Sequence, residues 1–229
     1  MSFEAVMPPY NASDPNASFV GASCLDFLLI ELVPMAYRIT NEVDAAAQEE
    51  NVPPTQSESE QSQQQQRTNR TSLVSGSAGA GTGMGTGKMD EDEERDAVFY
   101  RLETLGYRVG QGLVERFSRD RPRFNDTLDV IKFLCKDLWT LLFRKQVDNL
   151  KTNHRGVYVL TDNAFRPFSR MSTETGGQAV LRAQPFLWFP CGVVRGALAA
   201  MGIEATVQAE TSELPGAVFQ IKTIPAKAP

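Results

Sequence analysis

The chain has 229 residues, a formal net charge of −5 and 41% hydrophobic residues, which bounds it to one or two domains. No window offers the ~18 uncharged apolar residues of a spanning helix, and Met1 to Asn16 has neither the basic residue nor the apolar core of a secretory signal. Cys24, Cys135 and Cys191 are odd in number and far apart, which points to a reducing, cytosolic setting and leaves the Asn-x-Ser/Thr triplets at Asn11, Asn16, Asn69 and Asn125 unglycosylated.

Residues 1–17 are rich in proline and small polar residues and read as a disordered tail. A first helix is expected from about Ser23 to Ile39, with only Asp26, Glu31 and Arg38 charged and apolar positions almost all the way round. Either it is sandwiched within its own domain, or it places one face on the core and another on a partner. Pro34 lacks an amide hydrogen, so a kink or a break is expected there. Residues 41–94 hold 11 acidic and 3 basic residues, with a Ser/Gln run followed by a Gly/Ser/Thr run, and read as a low-complexity disordered insert. Its glycines do not form a nucleotide loop: before Gly87-Lys88 the required glycine is Thr82, and Met89 stands where a magnesium-binding hydroxyl is needed. From about Glu91 acidic residues favour a second helix start, and Phe99, Leu102, Gly106, Val109, Leu113 and Phe117 then fall on one face. Gly106 and Gly110 each cost a helix about 1 kcal/mol against alanine, so close approach of a neighbouring backbone is expected at them.

A long central helix is expected from Asn125 or Asp126, either of which can cap it, to Phe143. Its apolar residues cover most of the circumference and leave a narrow stripe of Asp129, Lys132, Lys136, Thr140 and Arg144, interrupted by Phe133. Residues 145–155 read as a polar connection, Val157–Thr161 as a strand and Phe165–Ser169 as a short return strand. Ser172–Gly177 reads as a loop. A short helix is expected over Gly192–Met201, begun by Pro190 and ended by Gly202, and Ala205–Ala209 and Ala217–Thr223 read as two further strands. The order of elements, with segregated hairpins, gives an α+β fold with an antiparallel sheet.

Three stretches carry a resemblance: Arg119–Phe124, the run DVIKFLCKDLW from Asp129 to Trp139, and FRKQVDNLKTNHRGVYVL from Phe143 to Leu160. They are similar to the small subunits of the TRAPP vesicle-tethering complex, of the thirty-three-kilodalton or subunit-six type, over about residues 24–39 and 96–223. The resemblance implies a helical layer on a four-stranded twisted antiparallel sheet. It thus implies one domain over 18–224, interrupted by the insert 41–94 and followed by a tail at 225–229. It also implies heterodimerisation with a related small subunit through the first two helices, with Leu25, Leu28, Leu29, Leu32, Met35 and Ala36 of the first and Val98, Arg101 and Leu105 of the second at the interface. The assembly it implies serves a Rab GTPase as a guanine-nucleotide-exchange and tethering complex in ER-to-Golgi and intra-Golgi transport. The chain would then be cytoplasmic and peripheral at those membranes. One departure stands out. The acylated cysteine that a sister subunit carries before the long helix has no counterpart in Arg119–Arg123, and Cys135 lies inside the helix.

Little else suggests chemistry. His154 is the only histidine, beside Arg155, and no Cys-x-x-Cys or ligand cluster accompanies it, so no metal, cofactor or nucleophile pair is expected and the chain reads as a non-enzyme. Residues 116–155 carry 10 basic and 5 acidic residues, but no nucleic-acid-binding frame holds them. The competing reading, from another class, is a domain that encloses a small apolar ligand. It would need an internal cavity, whereas a partner surface needs exposed apolar helix faces.

Overall fold

The computed structural model describes residues 21–50, 90–119, 121–153, 155–171 and 178–224. The expectations for both tails, for residues 51–89 of the insert, for His154 and for the Ser172–Gly177 loop lie outside the described residues.

Helix α1 runs over Ala22–Glu50. It is longer than the sequence suggested, because residues 41–50, read as insert, continue the helix. Ala45, Ala46, Ala47, Gln48 and Glu49 are all strong helix formers, and the lack of large apolar residues among them had hidden that. Nor does Pro34 break the helix. It stands on the exposed side, while Val33 and Ala36 are buried and hold the turn against the core. Helix α2 spans Glu91–Phe117; the Asp90 side chain accepts from the Glu91 amide at 2.9 Å, and four acidic residues occupy its first turn.

The central helix begins as α3 (Thr127–Phe133), passes through a π-helical turn (Leu134–Leu138) and ends as α4 (Trp139–Phe143). Asp126 caps it, its carboxylate accepting from the Asp129 amide at 2.7 Å. Val130, Ile131, Phe133, Leu134, Cys135, Leu138, Trp139, Leu142 and Phe143 are all buried. The expected polar stripe is the side that remains exposed or half-buried, and Phe133 leaves it by stacking on Phe124, with ring centres 5.3 Å apart. Arg144 ends the helix in a left-handed conformation at φ 63°.

Four strands follow: β1 (Asn149–Thr152), β2 (Val157–Asp162), β3 (Ala205–Glu210) and β4 (Ala217–Thr223). They form one antiparallel sheet in the order β1-β2-β4-β3. Strand membership corrects the sequence reading at one place. Phe165–Ser169 is not a return strand but a tight 3-10 turn at Arg166–Phe168, in which Pro167 has no amide to give a ladder and Phe165 and Phe168 both point into the core. The fourth strand is instead β1, inside the stretch read as a polar connection. As an edge strand with one neighbour it needs only Leu150 and Thr152 turned inward, opposite Leu160 and Tyr158.

Alternation sets the buried face of the sheet: Tyr158, Leu160 and Asp162 from β2, and Ala217, Phe219 and Ile221 from β4. Helix α4 lies on that face through Trp139, whose ring meets Phe219 at 5.1 Å and Phe143 at 4.7 Å. The buried indole needs an acceptor, and Asp162 supplies it: Trp139 Nε1 donates to its carboxylate at 2.8 Å. The same fully buried carboxylate accepts from Lys145 Nζ at 2.7 Å and from the Ala164 amide at 3.1 Å. Burial alone would lower the Lys145 pKa, but hydrogen bonds to Asp148 and Asp162 outweigh it and hold the ammonium above its usual range.

The remaining chain forms α5 (Gln178–Ala183), a 3-10 turn (Gln184–Leu187) and α6 (Trp188–Ala200). Helix α6 starts four residues before the expected Gly192, with Pro190 in its first turn, where no amide is missed. Gly202 closes it at φ 77°. Helices α2 and α6 then meet backbone to backbone. A Cβ at Gly106 would lie 2.2 Å from the Phe189 carbonyl oxygen, and one at Gly110 would lie 2.2 Å from that of Val193. Reciprocally, a Cβ at Gly192 or Gly196 would lie 2.1 Å from the Glu103 or 2.0 Å from the Tyr107 carbonyl oxygen. The expected close approach at Gly106 and Gly110 is what these glycines permit. Arg195 locks the seam, pairing in a two-pronged fashion with Glu103 and lying 4.5 Å over the Tyr107 ring.

Candidate partner-binding face

The apolar residues of α1 fall into two seams with alternating spacings of three and four. One is Leu29, Val33, Ala36 and Thr40, all buried in the chain's own core. Thr40 is satisfied there by donating its hydroxyl to the Ala36 carbonyl at 2.9 Å. The other is Leu25, Leu28, Leu32, Met35 and Ile39, a repeat of the kind that packs helix on helix. Within this second seam Leu32 is 5% exposed and closed off, Leu25 and Met35 are half-buried, and Leu28 at 56% and Ile39 at 37% are open. Phe27, Ile30 and Val43 add further exposed apolar surface.

On α2 the buried line is Val98, Leu102, Gly106, Gly110 and Val114. From Val98 of that line, Arg101 and Leu105 continue at spacings of three and four, and Leu105 is 38% exposed. Arg101 is half-buried, and its Nε is buried without a hydrogen-bond partner among the described residues. A buried donor left unpaired costs about 1–3 kcal/mol, so Arg101 is a costly feature of the isolated chain.

Of the interface residues expected from sequence, Leu29, Leu32, Ala36 and Val98 are buried within the chain's own core. The sequence shows a wide apolar arc on each helix but not which part of it the same chain covers. Of the remaining candidates Leu28 and Leu105 are exposed, and Leu25, Met35 and Arg101 are half-buried. Sequence reasoning missed how α1 is set in place. Asp26 accepts two hydrogen bonds from Arg166, at 2.7 and 2.8 Å, which staples the start of α1 to the turn after β2. This hydrogen bonding holds the Asp26 carboxyl below its usual range.

The ligand-enclosing alternative can be measured against the interior. Between the π-helical turn, α4 and α6, the space lined by Leu138, Trp139, Phe143, Pro190 and Val194 is about 10 Å³, room for at most one water. All three cysteines are free thiols. Burial pushes Cys135 up to about 12, and burial, reinforced by Glu103, pushes Cys191 to about 12, so neither is a nucleophile near neutral pH. Among the described residues no group of three or more His, Cys, Asp or Glu is placed to hold a metal, and no helix is long and apolar enough to cross a membrane.

The transport protein particle (TRAPP) component family model matches residues 25–224. Trafficking protein particle complex subunit 6b of Danio rerio is 54% identical over 121 residues, covering 53% of this chain and 76% of that protein. Subunit 6A of Homo sapiens is 50% identical over 120 residues, covering 52% and 74%. Among solved structures, trafficking protein particle complex subunit 3 of Naegleria fowleri, covalently bound to palmitic acid, has a TM-score of 0.47 at 15% identity over 56% of this chain and 81% of that one, a likeness too distant to argue from. On the family match and the identity to its relatives, the chain belongs to the TRAPP component family, among the small subunits of the subunit-six type.

Proposed function

We propose that the chain is a non-catalytic structural subunit that pairs with a related TRAPP small subunit through α1 and α2. The observation that carries this is the open part of the second α1 seam, Leu28 and Ile39, together with Leu105 of α2. Exposed leucines and isoleucines recurring at helical spacing are what a partner helix covers, and each large side chain buried contributes about 1.5–3 kcal/mol. The filled interior between α4 and α6 speaks against a small apolar ligand there. Through the pair, the subunit would enter a tethering complex that promotes nucleotide exchange on a Rab GTPase and acts at Golgi and endoplasmic-reticulum membranes, from the cytoplasmic side. Co-purification with a TRAPP small subunit of another type tests the pairing. A stable one-to-one complex that Leu28→Asp disrupts is expected, and a wild-type chain that stays monomeric beside every such subunit would overturn it.

A further inference from the structure

The sheet ends in two edges, and they are unlike. Strand β1 is four residues long and carries exposed Lys151, two features that discourage further pairing. Strand β3 is six residues long and has neither lysine nor proline nor glycine in it.

The hydrogen-bond parity of β3 follows from its ends. Bonded pairs alternate along antiparallel strands. The Ile224 amide donates to the Glu204 carbonyl at 2.7 Å, which puts Glu204, Thr206, Gln208 and Glu210 in the pairs bonded to β4. The Thr223 amide donates to the Gly156 carbonyl at 2.8 Å and gives the alternate residues of β4 to β2, in agreement. Ala205, Val207 and Ala209 therefore aim N–H and C=O off the edge, and among the described residues nothing is hydrogen-bonded to these groups. Ala205 is buried, whereas Val207 and Ala209 are half-buried, so the open stretch is centred on these two.

We propose that β3 receives an extended segment of a partner polypeptide as a fifth strand. The free groups at Val207 and Ala209 select an extended backbone. Residues of that strand opposite Val207 and Ala209 share their half-buried inner face and are apolar, while those between them lie beside exposed Thr206, Gln208 and Glu210. Residues 204–224 carry three glutamates, Glu204, Glu210 and Glu213, against one cation, Lys222, which selects lysine or arginine on the outward face of the partner. A second copy of this chain fits less well, since it would double that acidic excess across the new seam. The edge shares no residue with the α1–α2 face, so its occupancy stands or falls separately from the pairing proposed above.

A labelled seven-residue peptide that alternates valine with lysine and threonine tests it, by anisotropy on the full chain. Saturable binding is expected, at least about tenfold tighter than that of the same peptide with glutamate for lysine. In Ala209→Pro the lost N–H faces away from β4, so the β3–β4 ladder stays whole while the partner loses a donor, and affinity should fall about tenfold or more. Gln208→Lys, which sets a cation against the cationic peptide, should weaken it likewise. Leu28→Asp should leave binding unchanged, and circular dichroism checks that all variants fold. Bound peptide should also slow amide exchange at Val207 and Ala209. No binding, equal affinity for the glutamate peptide, or binding indifferent to Ala209→Pro and Gln208→Lys would each overturn the proposal. So would a dimer of the parent chain that Ala209→Pro makes monomeric in sedimentation.

Discussion

Replacing Gly106 by alanine should destabilise the protein, although alanine is the better helix former. The new Cβ would lie 2.2 Å from the Phe189 carbonyl oxygen, 2.9 Å from the Val193 nitrogen and 3.1 Å from the Gly192 Cα, all backbone atoms that no side-chain rotation can move. Relief requires α2 and α6 to part by about 1 Å, a gap that forfeits about a quarter to a half of each dispersion contact along the seam. Overpacking typically costs about 1–3 kcal/mol, and the loss of seam contacts exceeds the roughly 1 kcal/mol gained in helix propensity. A net loss of about 2 kcal/mol corresponds to a fall of about 4–8 °C in Tm for a chain of this size. Gly112, on the same helix, is the internal control. A Cβ there meets nothing within 4 Å, so Gly112→Ala should gain up to about 1 kcal/mol and raise Tm by about 2–4 °C. Thermal melts of the two variants settle the point. If Gly106→Ala raises Tm as Gly112→Ala does, the backbone seam is wrong.

Removing the buried acceptor in Asp162→Ala strands Trp139 Nε1 and the Ala164 amide, and urea unfolding should show a loss of about 2–4 kcal/mol. A thiol reagent should label Cys24, which is exposed, in the native protein, and reach Cys135 and Cys191 only after denaturation. Acid should destabilise the fold through Asp26 and Asp148, whose folded pKa values lie below the usual carboxylate value, chiefly because of the hydrogen bonds from Arg166 and Lys145 respectively. A depressed folded pKa contributes stability that is fully present above about pH 4 and is lost as pH falls through the folded value, so Tm should drop on acidification and drop less in Asp148→Asn. Asp137 has the opposite sign, since burial raises its pKa despite the Arg121 pair, and Asp137→Asn should steepen the acid loss.

The central helix was legible because its apolar positions leave only the stripe of Asp129, Lys132, Lys136, Thr140 and Arg144, and that stripe is its least buried side. The strands β2, β3 and β4 were legible from alternation. Strand β1 was not, because an edge strand with two inward residues has too little apolar pattern to stand out from a polar loop. Phe165 and Phe168 misled in the other direction: aromatic residues suggest a strand, but positions three apart would face opposite sides of one, and a 3-10 turn is what buries both. The end of α1 was hidden because alanine and glutamate favour helix as much as they suit an acidic linker. Half of the glycine seam could be read from Gly106 and Gly110, but its other half needed the topology that lays α6 alongside α2. The roles of Asp162 and Arg121 were invisible, since each depends on residues far away in the chain or on another element.

The most direct test of the proposed pairing face compares two leucines on the second seam of α1, one open and one closed. Binding to a TRAPP small subunit of another type is measured for Leu28→Asp, alongside circular dichroism of the free variants of Leu28 and Leu32. Leu32 is 5% exposed, so Leu32→Asp should unfold the chain on its own, as a carboxylate in the core does. Leu28 is 56% exposed, so Leu28→Asp should melt within about 2 °C of the parent, where 1 kcal/mol is worth about 2–4 °C, while losing about tenfold or more in affinity for the partner. A folded Leu28→Asp chain that binds its partner as tightly as the parent would contradict the account.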